Sequence, residues 1–288
     1  MTYSDVPGAV VAELTRSREK VAHYLVDPYF RAGLRRVDLS TVAGLTFVVL
    51  KPDAVAGRRL EPALEALRDN DFIVAGAWTF RFTPLLTREV WRYQFNIASW
   101  DRAAVVDLLL PSTDSLLLVL RDRTWTPGAQ PAASRLSALK GSADPARRRP
   151  DDLRSRLNGP TTLFNFLHTA DEPADVVREL GLLELATGLS ILDSLTGEAD
   201  PSALVARLHD EVPAHDLDRE RSWTRLAARP DYAGIARRRA WRELLEVPPA
   251  AGALWDVLSV LTAEIDCNVP GLEPLVPTIG AAMWEVSA

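Results

Sequence analysis

The run Leu45-Thr46-Phe47-Val48-Val49-Leu50, closed at once by Lys51-Pro52-Asp53, most constrains the fold of this chain. It is short, β-branched and apolar, and a proline follows it, so it reads as a strand. Three more runs rich in Val, Leu, Ile, Phe or Trp follow at 72–82, 115–121 and 161–167. Helix candidates lie at 58–69, 84–95, 101–109, 131–139 and 173–180. In the first of these, Leu60, Leu64 and Leu67 form an apolar stripe. Strand and helix therefore alternate from Gly44 onward, although periodicity alone leaves 72–82 open.

The fourth run leads into Asn165-Phe166-Leu167-His168-Thr169-Ala170-Asp171, with Glu179 eleven residues past the histidine. A neutral imidazole is a good nitrogen nucleophile near neutral pH. If His168 ends a strand and Glu179 lies on the next helix, the carboxylate folds back toward the ring and holds its orientation. His23, His209 and His215 have no such flanking groups and read as core or surface residues. Between Lys140 and Pro160 the glycines and prolines break any regular element. The triplet Arg147-Arg148-Arg149 in that loop reads either as a solvated face or as a functional cluster, with Arg154 the better functional candidate. Neither a Gly-x-x-x-x-Gly-Lys-[Ser/Thr] loop nor Gly-x-Gly-x-x-Gly is present.

Lys51-Pro52-Asp53, Arg135, Gly141, Asp144-Pro145, Arg154, Asn165, His168 and Glu179 together resemble the nucleoside diphosphate kinase family. The resemblance covers about 42–181 and implies an α+β fold, a ferredoxin-like antiparallel sheet with helices on one face. It implies that His168 carries a phosphoryl group and that Glu179 orients it. Lys51, Arg135, Arg154 and Asn165 would bind nucleotide and phosphate, with Mg2+ bridging the phosphates of ATP and no metal ligand from the protein. The family's Gly-Glu-Thr-Asn-Pro reads Gly141-Ser142-Ala143-Asp144-Pro145 here, and its His-Gly-Ser-Asp reads His168-Thr169-Ala170-Asp171. Two hydroxyls are thereby lost, and Thr169 restores one only if the backbone shifts. The segment Trp91–Trp100, which should supply the base-stacking aromatic, does not align residue by residue.

The 288-residue chain is longer than one such domain. We read 1–41 as a helical extension that Asp27-Pro28 interrupts, 42–181 as the kinase-like domain, and 182–288 as an α-helical region of unknown role. Further helices are expected after Asp200-Pro201 and at 216–228, 231–246 and 251–265, with Trp223, Trp241 and Trp255 in their core. A net charge of −6 gives no nucleic-acid footprint, and the single cysteine, Cys267, excludes an internal disulfide and a cysteine-rich zinc site. No signal peptide or apolar run long enough to span a membrane is evident, so a cytoplasmic location is expected. The expectation is an ATP-dependent phosphotransferase working through a phosphohistidine, compatible with a homo-oligomer. Its acceptor is a nucleoside diphosphate or a specialised small molecule. The alternative is a non-catalytic nucleotide-binding or scaffolding module derived from the same family.

Overall fold

In the computed structural model, residues 8–284 are described. The first seven residues of the N-terminal extension and the last four of the C-terminal region lie outside them. Three short helices, α1 (Gly8–Leu14), α2 (Arg18–Tyr24) and α3 (Pro28–Leu34), precede the sheet. Asp27-Pro28 both ends one helix and starts the next. The Asp27 carboxylate caps the amides of Tyr29 and Phe30, and Pro28 takes the first helical position, where a missing N–H costs nothing.

The central region runs β1 (Leu45–Leu50), α4 (Pro52–Ala56), α5 (Leu60–Asp69), β2 (Phe72–Phe80), α6 (Pro84–Val90), α7 (Trp100–Leu109), β3 (Ser115–Asp122), α8 (Ala132–Lys140), α9 (Leu153–Arg156), β4 (Leu167–Thr169) and α10 (Pro173–Thr187). The four strands are antiparallel in the order β2-β3-β1-β4, the ferredoxin-like arrangement expected from the sequence. The open segment 72–82 is therefore an edge strand, ending at Phe80.

Helices cover both faces of the sheet, not one. All six residues of β1 are buried. Val48, Leu50 and Thr169 face the side chains of α5, α8 and α9, while His168 points the other way, toward Glu179 of α10. Successive strand residues face opposite sides, so this split follows from the pleat.

Two expected elements are displaced. The expected strand at 161–167 begins only at Leu167, because the Asp53 carboxylate accepts the Phe166 N–H at 2.8 Å and Phe166 takes a positive φ of 70°. The expected helix at 84–95 ends at Val90. Beyond α10 come α11 (Ser202–Glu211), α12 (Arg219–Ala227), α13 (Ala233–Arg238), α14 (Glu243–Glu246) and α15 (Leu254–Glu264). The expected helix at 231–246 is split because Arg239 adopts a left-handed conformation, φ 53°. These helices join the central core: α12 packs on α15, and the His215 N–H reaches Ala56 O at 2.8 Å. No helix among the described residues is long and apolar enough to cross a membrane.

Candidate functional site

His168 occupies the middle of β4, paired in register with Val49 of the fully buried β1, so its ring is fixed by the sheet. Its Nε2 lies 2.6 Å from Glu179 Oε2. The indole of Trp91 meets the imidazole edge-on at 4.9 Å between ring centres, and Phe47 stands 5.9 Å away. With Nε2 bonded to the carboxylate, the neutral ring carries its lone pair on Nδ1.

His168 opens on a cavity of about 450 Å3 that Lys51, Arg154 and Asn165 also line. Lys51 ends β1, and its Nζ donates to Leu163 O at 2.7 Å and stands 3.6 Å from Asp53 Oδ1. Burial pushes the Lys51 ammonium down to about 8 against the pull of Asp53, and pushes the Asp53 carboxyl up. Arg154 is anchored through Nη1 to Gly141 O and Nη2 to Leu167 O, each at 2.8 Å, and its buried Nε has no partner. Burial and the neighbouring Arg148 lower its pKa to about 10. Asn165 donates through Nδ2 to Thr162 O, while its buried Oδ1 is unpaired. Both unpaired atoms belong to side chains that line this cavity.

The structure does not bring Arg135 to this cavity. Arg135 Nε pairs with Asp122 Oδ2 at 2.6 Å, and its guanidinium lies over Phe72 at the far end of β3. Arg148 is not a solvated charge either: its guanidinium donates to the carbonyls of Ser142, Ala143, Gly159 and Thr161 and ties the loop together. In that loop Gly141 has φ +75°, and a Cβ there would lie 2.1 Å from Asp152 Oδ2, so only glycine fits. Thr169 does not replace the missing hydroxyl beside His168. It faces the opposite side of β4, where its Oγ1 is buried without a partner.

No family model matches the sequence, and no curated protein does. Solved structures are similar to part of the chain. The likeness is to nucleoside diphosphate kinases. The Aquifex aeolicus structure is 21% identical at a TM-score of 0.39, over 48% of this chain and 93% of its own. That from Halobacterium salinarum, in complex with CDP, is 20% identical at 0.42, over 56% of this chain and 97% of its own. That from Encephalitozoon cuniculi is 17% identical at 0.43, over 51% and 91%.

Several cavity residues escaped the sequence reading. Trp91 and Phe95 lie in the segment that would not align. Arg102 comes from the first turn of α7, and Cys267, Asn268, Pro274 and Thr278 come from a segment beyond α15. That segment is strapped to 93–99 by main-chain bonds: Val269 N to Ile97 O, Ser99 N to Cys267 O, and Val276 N to Tyr93 O. The cluster Trp91 to Trp100 was the only sequence signal for this wall.

Proposed function

We propose that this protein is a phosphotransferase that relays a phosphoryl group from ATP through His168 to an acceptor, a nucleoside diphosphate or a specialised small molecule. The reading is carried by the 2.6 Å His168–Glu179 bond in a cavity shared with Lys51, Arg154 and Asn165. In the first step the Nδ1 lone pair of His168 attacks the γ-phosphorus. An N–P bond forms, the P–O bond to the bridging oxygen breaks, and its electron pair leaves with ADP. Glu179, accepting the Nε2–H, stabilises the positive charge the ring acquires and holds its angle of attack. Lys51 and Arg154 give up carbonyl partners and donate to phosphate oxygens, where charge gathers in the transition state. In the second step an acceptor oxygen attacks the phosphorus, and Nδ1 recovers its electron pair.

Among the described residues no group of three metal-ligating side chains occurs, and Asp144 is the only carboxylate lining the cavity. This donor set suits phosphate oxygens rather than a bare divalent cation, so no protein residue is assigned to hold Mg2+. Mg2+ brought in with ATP would supply charge neutralisation. A second reading, a non-catalytic nucleotide-binding or scaffolding module, is favoured by Ala143 and by Thr169 facing the opposite side of the sheet from His168.

Protein incubated with γ-labelled ATP and Mg2+ should acquire an acid-labile phosphate. His168→Ala should abolish the label while circular dichroism stays unchanged, and Glu179→Gln should slow labelling by about 10²-fold. Label persisting in His168→Ala would remove the relay, and an unlabelled wild type would leave the binding module in its place.

A further inference from the structure

The mouth of the cavity has chemistry the relay does not use. Arg102 stands in the first turn of α7, where the helix dipole already places positive charge, an unfavourable position for a cation. Its guanidinium lines the cavity 5.5 Å from the Phe95 ring centre. Among the described residues no carboxylate pairs with it. Its side-chain bond runs from Nη1 to Asn268 Oδ1 at 2.7 Å, and its buried Nε has no partner. Burial pushes its pKa below the ordinary arginine value.

A guanidinium can only donate. The bond therefore fixes the Asn268 amide, with its oxygen toward Arg102 and both Nδ2 hydrogens left to donate. Two neighbouring side chains thus offer donors to the cavity, and their one acceptor oxygen already takes a hydrogen bond from Arg102. Such a surface fits a ligand edge with two adjacent acceptors. An amino group in the same place would set donor against donor, at the cost of an unpaired polar contact.

Nucleobases differ in this respect. Guanine presents O6 and N7 together, the usual partner of a bidentate arginine, whereas adenine and cytosine carry an amino group on the corresponding edge. A cavity of about 450 Å3 is of the size that holds a compact ligand. We infer that Arg102 and Asn268 select guanine nucleotides, reading the O6/N7 edge of a base whose phosphates lie against Lys51, Arg154 and His168. The inference rests on the relay reading for the ligand being a nucleotide. Because donor and acceptor take turns in one cavity, the preference applies to GTP as donor and to GDP as acceptor.

The test is His168 labelling by γ-labelled GTP, ATP and CTP at matched, sub-saturating concentrations. GTP should label faster than ATP or CTP by roughly 5- to 150-fold, the discrimination of one good bidentate contact. Arg102→Ala should bring the GTP-to-ATP ratio close to one. Asn268→Asp keeps a partner for Arg102, and so keeps the strap in place, but replaces a donor with an acceptor; it too should erase the GTP advantage. Labelling without base preference in the wild type, or a preference that survives both substitutions, overturns the inference and leaves the relay standing. No label from any triphosphate overturns both.

Discussion

Lys51 is buried at the end of β1, and that burial holds its ammonium near pKa 8 rather than the ordinary value above 10. A bound phosphate adds an anion beside it and raises that pKa again, so binding takes up a proton wherever the free amine is neutral. The sign follows: affinity is full below the free-protein pKa and is lost as pH rises through about 8. Calorimetric ATP affinity should fall by about tenfold per pH unit above that point, while Lys51→Met binds weakly with no such slope. The same slope in the variant would place the titration on another group. The placing of Lys51 at a strand end and of Glu179 on the helix facing His168 was legible in the sequence, because each is fixed by its own element or by a neighbour a few positions away. Arg135 was not. Arg154 lines the cavity as expected, but Arg135 does not because Asp122 and Phe72 capture it, and charge spacing along the chain does not record that.

At the scale of elements, α10 holds the site together, since it carries Glu179 and receives the N-terminal helices. Glu172 caps its start and accepts from Thr15 Oγ1 at 2.6 Å, Lys20 Nζ at 2.8 Å and Trp284 Nε1 at 2.9 Å. Lys20 also reaches Asp175 at 2.7 Å. Burial works against its charge, yet Asp175 and Glu172 hold its pKa well above the ordinary value. Removing one partner of a buried ion group costs far more than the pair contributes, because the remaining charge is stranded. Lys20→Met should therefore destabilise the fold by about 3–5 kcal/mol in urea titrations. A loss under about 1 kcal/mol, as for surface pairs, would mean that water reaches the carboxylates. The start of α10 was legible from Pro173 and the apolar residues after it. Its partner in α2 was not, since Lys20 and Glu172 are 152 positions apart. The strands of the sheet centre were legible as apolar runs. The late start of β4 was not, since it comes from Asp53 holding the Phe166 amide across the sheet.

Across the whole molecule, the chain returns to its own cavity. After α15 it runs back along 93–99 as a strap that contains Pro270, Gly271, Pro274 and Pro277 and so has no helical or strand period to read in the sequence. Its middle is held by one side chain. Asn96 Nδ2 donates to Glu273 O at 2.8 Å, and Asn96 Oδ1 accepts the Leu275 N–H at 3.2 Å, so an amide stands in for a strand partner. Each exposed bond of this kind contributes about 0.5–1.5 kcal/mol to closure, too little to affect the sheet but enough to set how often the strap lifts. Asn96→Ala should therefore speed hydrogen exchange at Leu275 and Val276 by about tenfold, while the amides of β1 and β3 exchange as before. Because Asn268 and Pro274 line the cavity, ATP affinity should weaken several-fold in the same variant. Exchange that quickens equally in strap and sheet would mean that the strap opens only when the whole protein unfolds. It would then be a fixed wall of the site rather than a part that lifts to admit substrate.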